Sequence, residues 1–141
     1  MSMVSEKSVY DCCIIRLPKI LDFRGNLTFI EQQRHIPFEI ARTYWIYDVP
    51  GGESRGGHAF RLQEECIVSL SGSFDVVLED GVAQKVVTLS RAYNGLYVPN
   101  MIWRTMLNFS TNAVALVLAS MAYDENDYVR DFKSYAESPS L

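Results

Sequence analysis

The stretch GGESRGGHAFRLQEE, residues 51–65, sets His58 behind a glycine-rich approach, with Phe60 two residues on and Glu64 four further. A His-x-His-x-x-x-Glu run would read as a metal site. A phenyl ring has no lone pair to offer a metal, so the run holds His58 and Glu64 as its only donors. That is too few for a closed transition-metal centre built by the protein alone. What remains is one imidazole, a group whose ordinary pKa suits proton transfer near neutral pH.

Such a group needs a rigid frame. The chain has 141 residues, enough for a single domain over 1–141, and 48% of them are hydrophobic, which excludes a disordered chain. Runs rich in Val, Ile, Tyr, Phe and Thr recur at short intervals: CCIIRL, LTFIE, RTYWIYDV, ECIVSLSG, SFDVVLED, QKVVTLS, GLYVP and NAVALVLAS. In SFDVVLED, Phe74, Val76 and Leu78 share one face while Ser73, Asp75 and Val77 share the other. Turn signals such as DFRGN, DVPGGES and SLSGS separate the runs, and Asp80-Gly81 predicts a hairpin. The pattern predicts an all-β jelly-roll barrel or sandwich. Tyr128, Phe132 and Tyr135 are spaced four and three apart, which predicts a short C-terminal helix over 124–136 with an aromatic face on the barrel.

The bulk chemistry narrows the partners. A net charge of −4 supplies no basic surplus for phosphate backbones, so no nucleic-acid partner is expected. Three cysteines, Cys12, Cys13 and Cys66, without CxxC spacing make neither a disulfide framework nor a zinc site. No run approaches a membrane span and the N-terminus lacks a signal-peptide core, so no membrane partner and a cytoplasmic location are expected.

The His58 run resembles the first cupin pattern, with Gly52 five residues before His58 and Gly72 following late. Pro99, Arg104 and Asn108 match the spacing of the second pattern, with Met101 where that pattern has glycine. The resemblance maps the cupin metal ligands onto His58, Phe60, Glu64 and Arg104. Arginine stays protonated and repels a cation, so the expectation is a cupin without metal or other cofactor.

From about Asp22 to Phe132 the chain resembles a narrower group, the dTDP-4-keto-6-deoxyhexose 3,4-ketoisomerases, WxcM-like metal-independent cupins of deoxysugar biosynthesis with the RmlC-like fold. DFRGNLTFIE, IPFEIARTYWIYDVPGGESRGGHA, GLYVPNMIWRTM, VLAS and YDENDYVRDF carry that resemblance. It implies a homodimer acting on a dTDP-linked keto-deoxysugar for surface polysaccharide, with the N-terminal strand YDCCIIRL a candidate for exchange between subunits. Where the family carries His-Ala-His, this chain has His58-Ala59-Phe60.

The implied reaction removes the C3 proton and returns one at C4 through an enediol. His58 is then the candidate base, and Arg104 the candidate for orienting the sugar or stabilising enediolate charge. Arg24 and Arg55, beside turn glycines, are candidates for the diphosphate or the sugar oxygens. Tyr44, Tyr47, Phe60 and Glu64 complete the candidate substrate-binding set, Tyr44 and Tyr47 lying either side of Trp45 on a strand. The alternatives are a nucleotide-sugar-binding cupin without turnover and a related dTDP-sugar epimerase.

Overall fold

The computed structural model describes residues 7–137. A 3-10 turn at Val9–Asp11 leads into β1 (Cys13–Arg16), a small hairpin of β2 (Lys19–Ile20) and β3 (Leu27–Thr28), then β4 (Arg42–Ile46), β5 (Arg55–Phe60), β6 (Glu65–Ser71), β7 (Phe74–Glu79), β8 (Gln84–Leu89), β9 (Asn94–Val98), β10 (Trp103–Leu107) and β11 (Val114–Ala119). A second 3-10 turn (Glu125–Asp127), β12 (Tyr128–Val129) and α1 (Phe132–Glu137) complete the chain.

Two five-stranded antiparallel sheets face each other, in the orders β1-β9-β6-β11-β4 and β12-β5-β10-β7-β8. The all-β jelly roll expected from the strand pattern is therefore present. Its core comes from alternation: on β7, Phe74, Val76 and Leu78 are buried and meet Ile67, Leu96, Ala115 and Val117 of the opposite sheet. The β7–β8 hairpin turns at Asp80, whose carboxylate accepts the amides of Val82, Ala83 and Val9.

The first sheet is buried on its outer side too. Cys66, Val68 and Leu118 point outward and are covered by Leu17, Ile36 and Phe38. Sequence runs that look continuously apolar, such as CIVSL, belong to this doubly covered sheet. Among the described residues no helix is long and apolar enough to cross a membrane.

Two features differ from the sequence expectations. The 124–136 segment is not one helix: a 3-10 turn capped by Asp124 passes into β12, which pairs Tyr128 with Phe60 and Val129 with Ala59, and only Phe132–Glu137 is α-helical. The aromatic spacing thus splits. Phe132 and Tyr135 pack on Trp103, with ring centroids 5.2 and 5.6 Å away, while Tyr128 turns to the barrel mouth. Strands β5 and β10, which carry the motif residues, contain glycine or mixed polarity and were absent from the strand pattern. In the single chain, β1 pairs with β9.

Candidate active site

The glycines before His58 shape the site. Gly56 has φ +105°, where a side chain is strained, and a Cβ there would lie 3.1 Å from the Arg104 carbonyl oxygen. The β5–β10 register slips at this point: Arg104 opposes His58, but Met106 opposes Arg55. The bulge turns both Arg55 and His58 toward one cavity, where strict alternation would have sent them to opposite faces.

That cavity, of about 460 Å³, is lined by Arg42, Tyr44 and Ile46 of β4, by Ser54, Arg55, Gly56 and His58, and by Met106, Tyr123, Tyr128 and Arg130. Three guanidiniums line it; that of Arg130 is paired with Glu125, while Arg42 and Arg55 have no carboxylate partner among the described residues, so the lining favours an anion.

The imidazole is fixed in one tautomer. Its Nδ1 lies 2.5 Å from the Gly56 carbonyl oxygen, an acceptor, so Nδ1 carries the hydrogen and Nε2 keeps its lone pair. Nε2 is buried and has no hydrogen-bond partner among the described residues. Burial, then the positive charge of Arg104, pushes the His58 pKa down to about 4 from its ordinary 6.5. At neutral pH it is an uncharged imidazole with a free lone pair, which is the form a base requires.

Beneath the cavity lies a sealed polar layer. Arg104 donates to Glu65 and to the Ile102 carbonyl oxygen, and it is 1% exposed. Glu65 also accepts from the Tyr44 hydroxyl at 2.7 Å and from the Gln63 amide at 2.8 Å. Phe60, with no exposed surface, covers the guanidinium at 5.1 Å and meets His58 edge-on at 4.8 Å.

The candidate residues therefore separate. His58, Arg55 and Tyr44 line one cavity, with Phe60 and Arg104 directly below it. Arg104 touches Glu65 and does not line the cavity. Arg24 is held bidentately by Asp22 on a different surface groove, and its side chain is 76% exposed. Tyr47 shares the outward parity of Trp45, is 60% exposed and lines a shallow groove with Asp48 and Asn112. Glu64 accepts from Tyr97 on the outer side of the first sheet.

Glu65, next in sequence, takes the inward place expected of Glu64. The cupin pattern permits three or four residues before its glutamate, and the parity of Glu65 with inward Ile67 marks the four-residue reading. Arg42, Tyr123, Tyr128 and Arg130 lie in segments that carry the family resemblance, but residue type and spacing did not single them out for the site, since the bends that bring them together are tertiary.

The metal expected of many cupins does not fit these residues. At two of its four ligand positions stand a phenyl ring and a guanidinium already paired to the nearest carboxylate. Among the described residues no group of three His, Cys, Asp or Glu side chains is placed to hold a metal ion.

With this geometry in view, the comparisons with known proteins decide the family. Residues 10–140 match the family described as FdtA: WxcM-like, C-terminal. The chain belongs to this family. A TDP-4-oxo-6-deoxy-alpha-D-glucose-3,4-oxoisomerase of Aneurinibacillus thermoaerophilus is 43% identical over 122 residues, covering 86% of this chain and 88% of the relative. A 3,4-ketoisomerase structure from Helicobacter canadensis superposes with TM-score 0.87 at 40% identity, covering 89% of this chain and 95% of that one. A histidine-to-asparagine mutant of the 3,4-ketoisomerase QdtA from Thermoanaerobacterium thermosaccharolyticum, in complex with TDP-4-keto-6-deoxyglucose, superposes with TM-score 0.89 at 35% identity, covering 91% and 93%. The ketoisomerase resemblance drawn from the sequence holds, the chain is an isomerase of this family, and the epimerase alternative has less support.

Proposed function

We propose that the chain binds a TDP-linked 4-keto-6-deoxyhexose and isomerises it to the 3-keto sugar, with His58 as the base. The carrying observation is the bare, buried Nε2 of His58 in a cavity lined by three guanidiniums and, among the described residues, by no carboxylate. The C3 proton is acidified by the neighbouring ketone. A neutral imidazole removes it, and the resulting imidazolium returns a proton at C4. Arg42, Arg55 and Arg130 receive the diphosphate, for which charged fork-shaped donors are suited. Burial, and then the charge of Arg104, keeps His58 uncharged before reaction, and the Arg104 field favours negative charge as it develops on the sugar oxygens.

The reading extends to assembly and location. The outer side of the first sheet carries an apolar groove of about 540 Å³, lined by Leu17, Ile30, Val68, Leu70, Leu116 and Leu118 among others. An exposed groove of that composition suits a second copy of the chain, giving a homodimer. A nucleotide-sugar substrate supports a cytoplasmic location for the enzyme.

The test is direct: the protein is mixed with TDP-4-keto-6-deoxyglucose and the sugar is followed by NMR. Appearance of a 3-keto sugar is expected. A sugar that binds unchanged supports a binding module without turnover and defeats the proposal.

A further inference from the structure

The ketoisomerase reaction moves protons at two oxygens as well as two carbons. O3 loses its proton as the C3 ketone forms, and O4 gains one as the C4 ketone disappears. His58 is the single histidine lining the cavity, and Phe60 fills the place of a second. A further group that gives and takes a proton is therefore required beside His58.

The cavity offers three phenols, and two are already committed. Tyr44 donates to Glu65, and Tyr123 donates to Glu125. The Tyr128 hydroxyl has no hydrogen-bond partner among the described residues, and Tyr128 lines the same cavity as His58. Its ring centroid is 5.1 Å from that of His58 and 4.6 Å from that of Phe60.

The ring is firmly placed. Tyr128 opposes Phe60 across the β12–β5 pairing, and the Arg130 guanidinium sits 4.1 Å over its face. The preceding residue, Asp127, is buried, and its carboxylate accepts the amides of Leu62 at 2.8 Å and Gln63 at 3.0 Å. A two-residue strand is thereby tied to the rim of the barrel.

We infer that Tyr128 is the second proton-transfer residue of this site, serving the sugar oxygens while His58 serves the carbons; the inference rests on the ketoisomerase reading. In the first half, His58 Nε2 takes the C3 proton and the C3–H electron pair forms the C3=C4 bond. The C4 carbonyl π pair moves to O4, which takes the Tyr128 proton. Enediol, imidazolium and phenolate result. In the second half, the phenolate takes the O3 proton, the O3 pair closes the C3 ketone, and the C3=C4 pair accepts the imidazolium proton at C4. Both side chains return to their starting forms and no cofactor or outside reactant is consumed. This division also explains how the site works with phenylalanine at position 60: the lost histidine is not replaced in sequence but across the β12–β5 pairing.

The variant Tyr128→Phe removes only the oxygen and keeps the ring between Phe60 and Arg130. Its kcat is expected to fall by about 100-fold or more, the range for loss of a general acid–base. TDP affinity and melting temperature are expected to match wild type. A variant turning over at the wild-type rate overturns the inference. So does a variant whose loss lies wholly in KM, because that is a binding role. Wild-type protein that binds TDP but leaves the keto sugar unchanged fails the ketoisomerase reading instead, a distinct outcome.

Discussion

Arg104 and Glu65 form an ion pair sealed inside the barrel, with Phe60 over the guanidinium and Tyr44 linking the carboxylate to the cavity. Side-chain exposures of 1% and 2% leave neither charge to water. Removing one partner strands the other, so Glu65→Leu is expected to cost about 3–5 kcal/mol. Combining it with Arg104→Met is expected to cost much less than the sum of the two single changes, because no lone charge remains. Urea unfolding of the four proteins checks this, and additive losses would mean that the pair does not couple.

The His58 imidazole has a folded-state pKa of about 4, depressed from 6.5 by burial and by Arg104. The free-enzyme acid limb of kcat/KM is therefore expected near pH 4 and not near pH 6.5. The stability effect follows the same sign. Between these two values the unfolded chain binds a proton at this site that the folded chain does not. The stabilising contribution is complete above pH 6.5, declines as pH falls, and is lost on passing through about 4. A pH–rate profile with its acid midpoint near 6.5 would contradict the buried, neutral imidazole.

Gly56 does two things at once: it allows the close approach of β5 to β10, and its carbonyl fixes the His58 tautomer. Gly56→Ala places a Cβ against the Arg104 carbonyl oxygen and the Thr105 Cα at a φ unfavourable to side chains. A stability loss of about 1–3 kcal/mol is expected. The bulge also aims His58, so kcat should drop even at temperatures where the variant is fully folded. Thermal melting and kinetics on one sample separate the two effects.

Asp127 secures the turn at residues 61–63 through two backbone amides. In Asp127→Ala both donors lose their acceptor inside the protein, at an expected cost of about 1–3 kcal/mol each. Because β12 carries Tyr128 and leads to Arg130, hydrogen exchange at Tyr128 and Val129 is expected to speed up, and KM to rise with the freed Arg130.

The architecture was legible because alternation on strands such as β7 follows directly from one buried face. The strands holding the chemistry were less so. In β5, Gly56 and Gly57 lower strand propensity, yet they make the bulge that directs His58. Met101 is a related case: it stands at a glycine position of the cupin pattern and adopts φ +62°, which its residue type does not announce. His58, Arg55 and Tyr44 were readable from type and motif spacing. Glu65 was not, since choosing it over Glu64 requires knowing which residue begins the inward parity of β6. Tyr128 was misplaced because a spacing of four to Phe132 suits a helix, and only pairing with β5 reveals a strand.

The most direct test of the account is His58→Asn assayed beside wild type with TDP-4-keto-6-deoxyglucose in deuterated buffer, the sugar ring being followed by NMR. The account predicts 3-keto product carrying solvent deuterium with wild type. With the variant it predicts neither product nor exchange at C3, while TDP binds both proteins alike. Product formation at the wild-type rate by His58→Asn would contradict it.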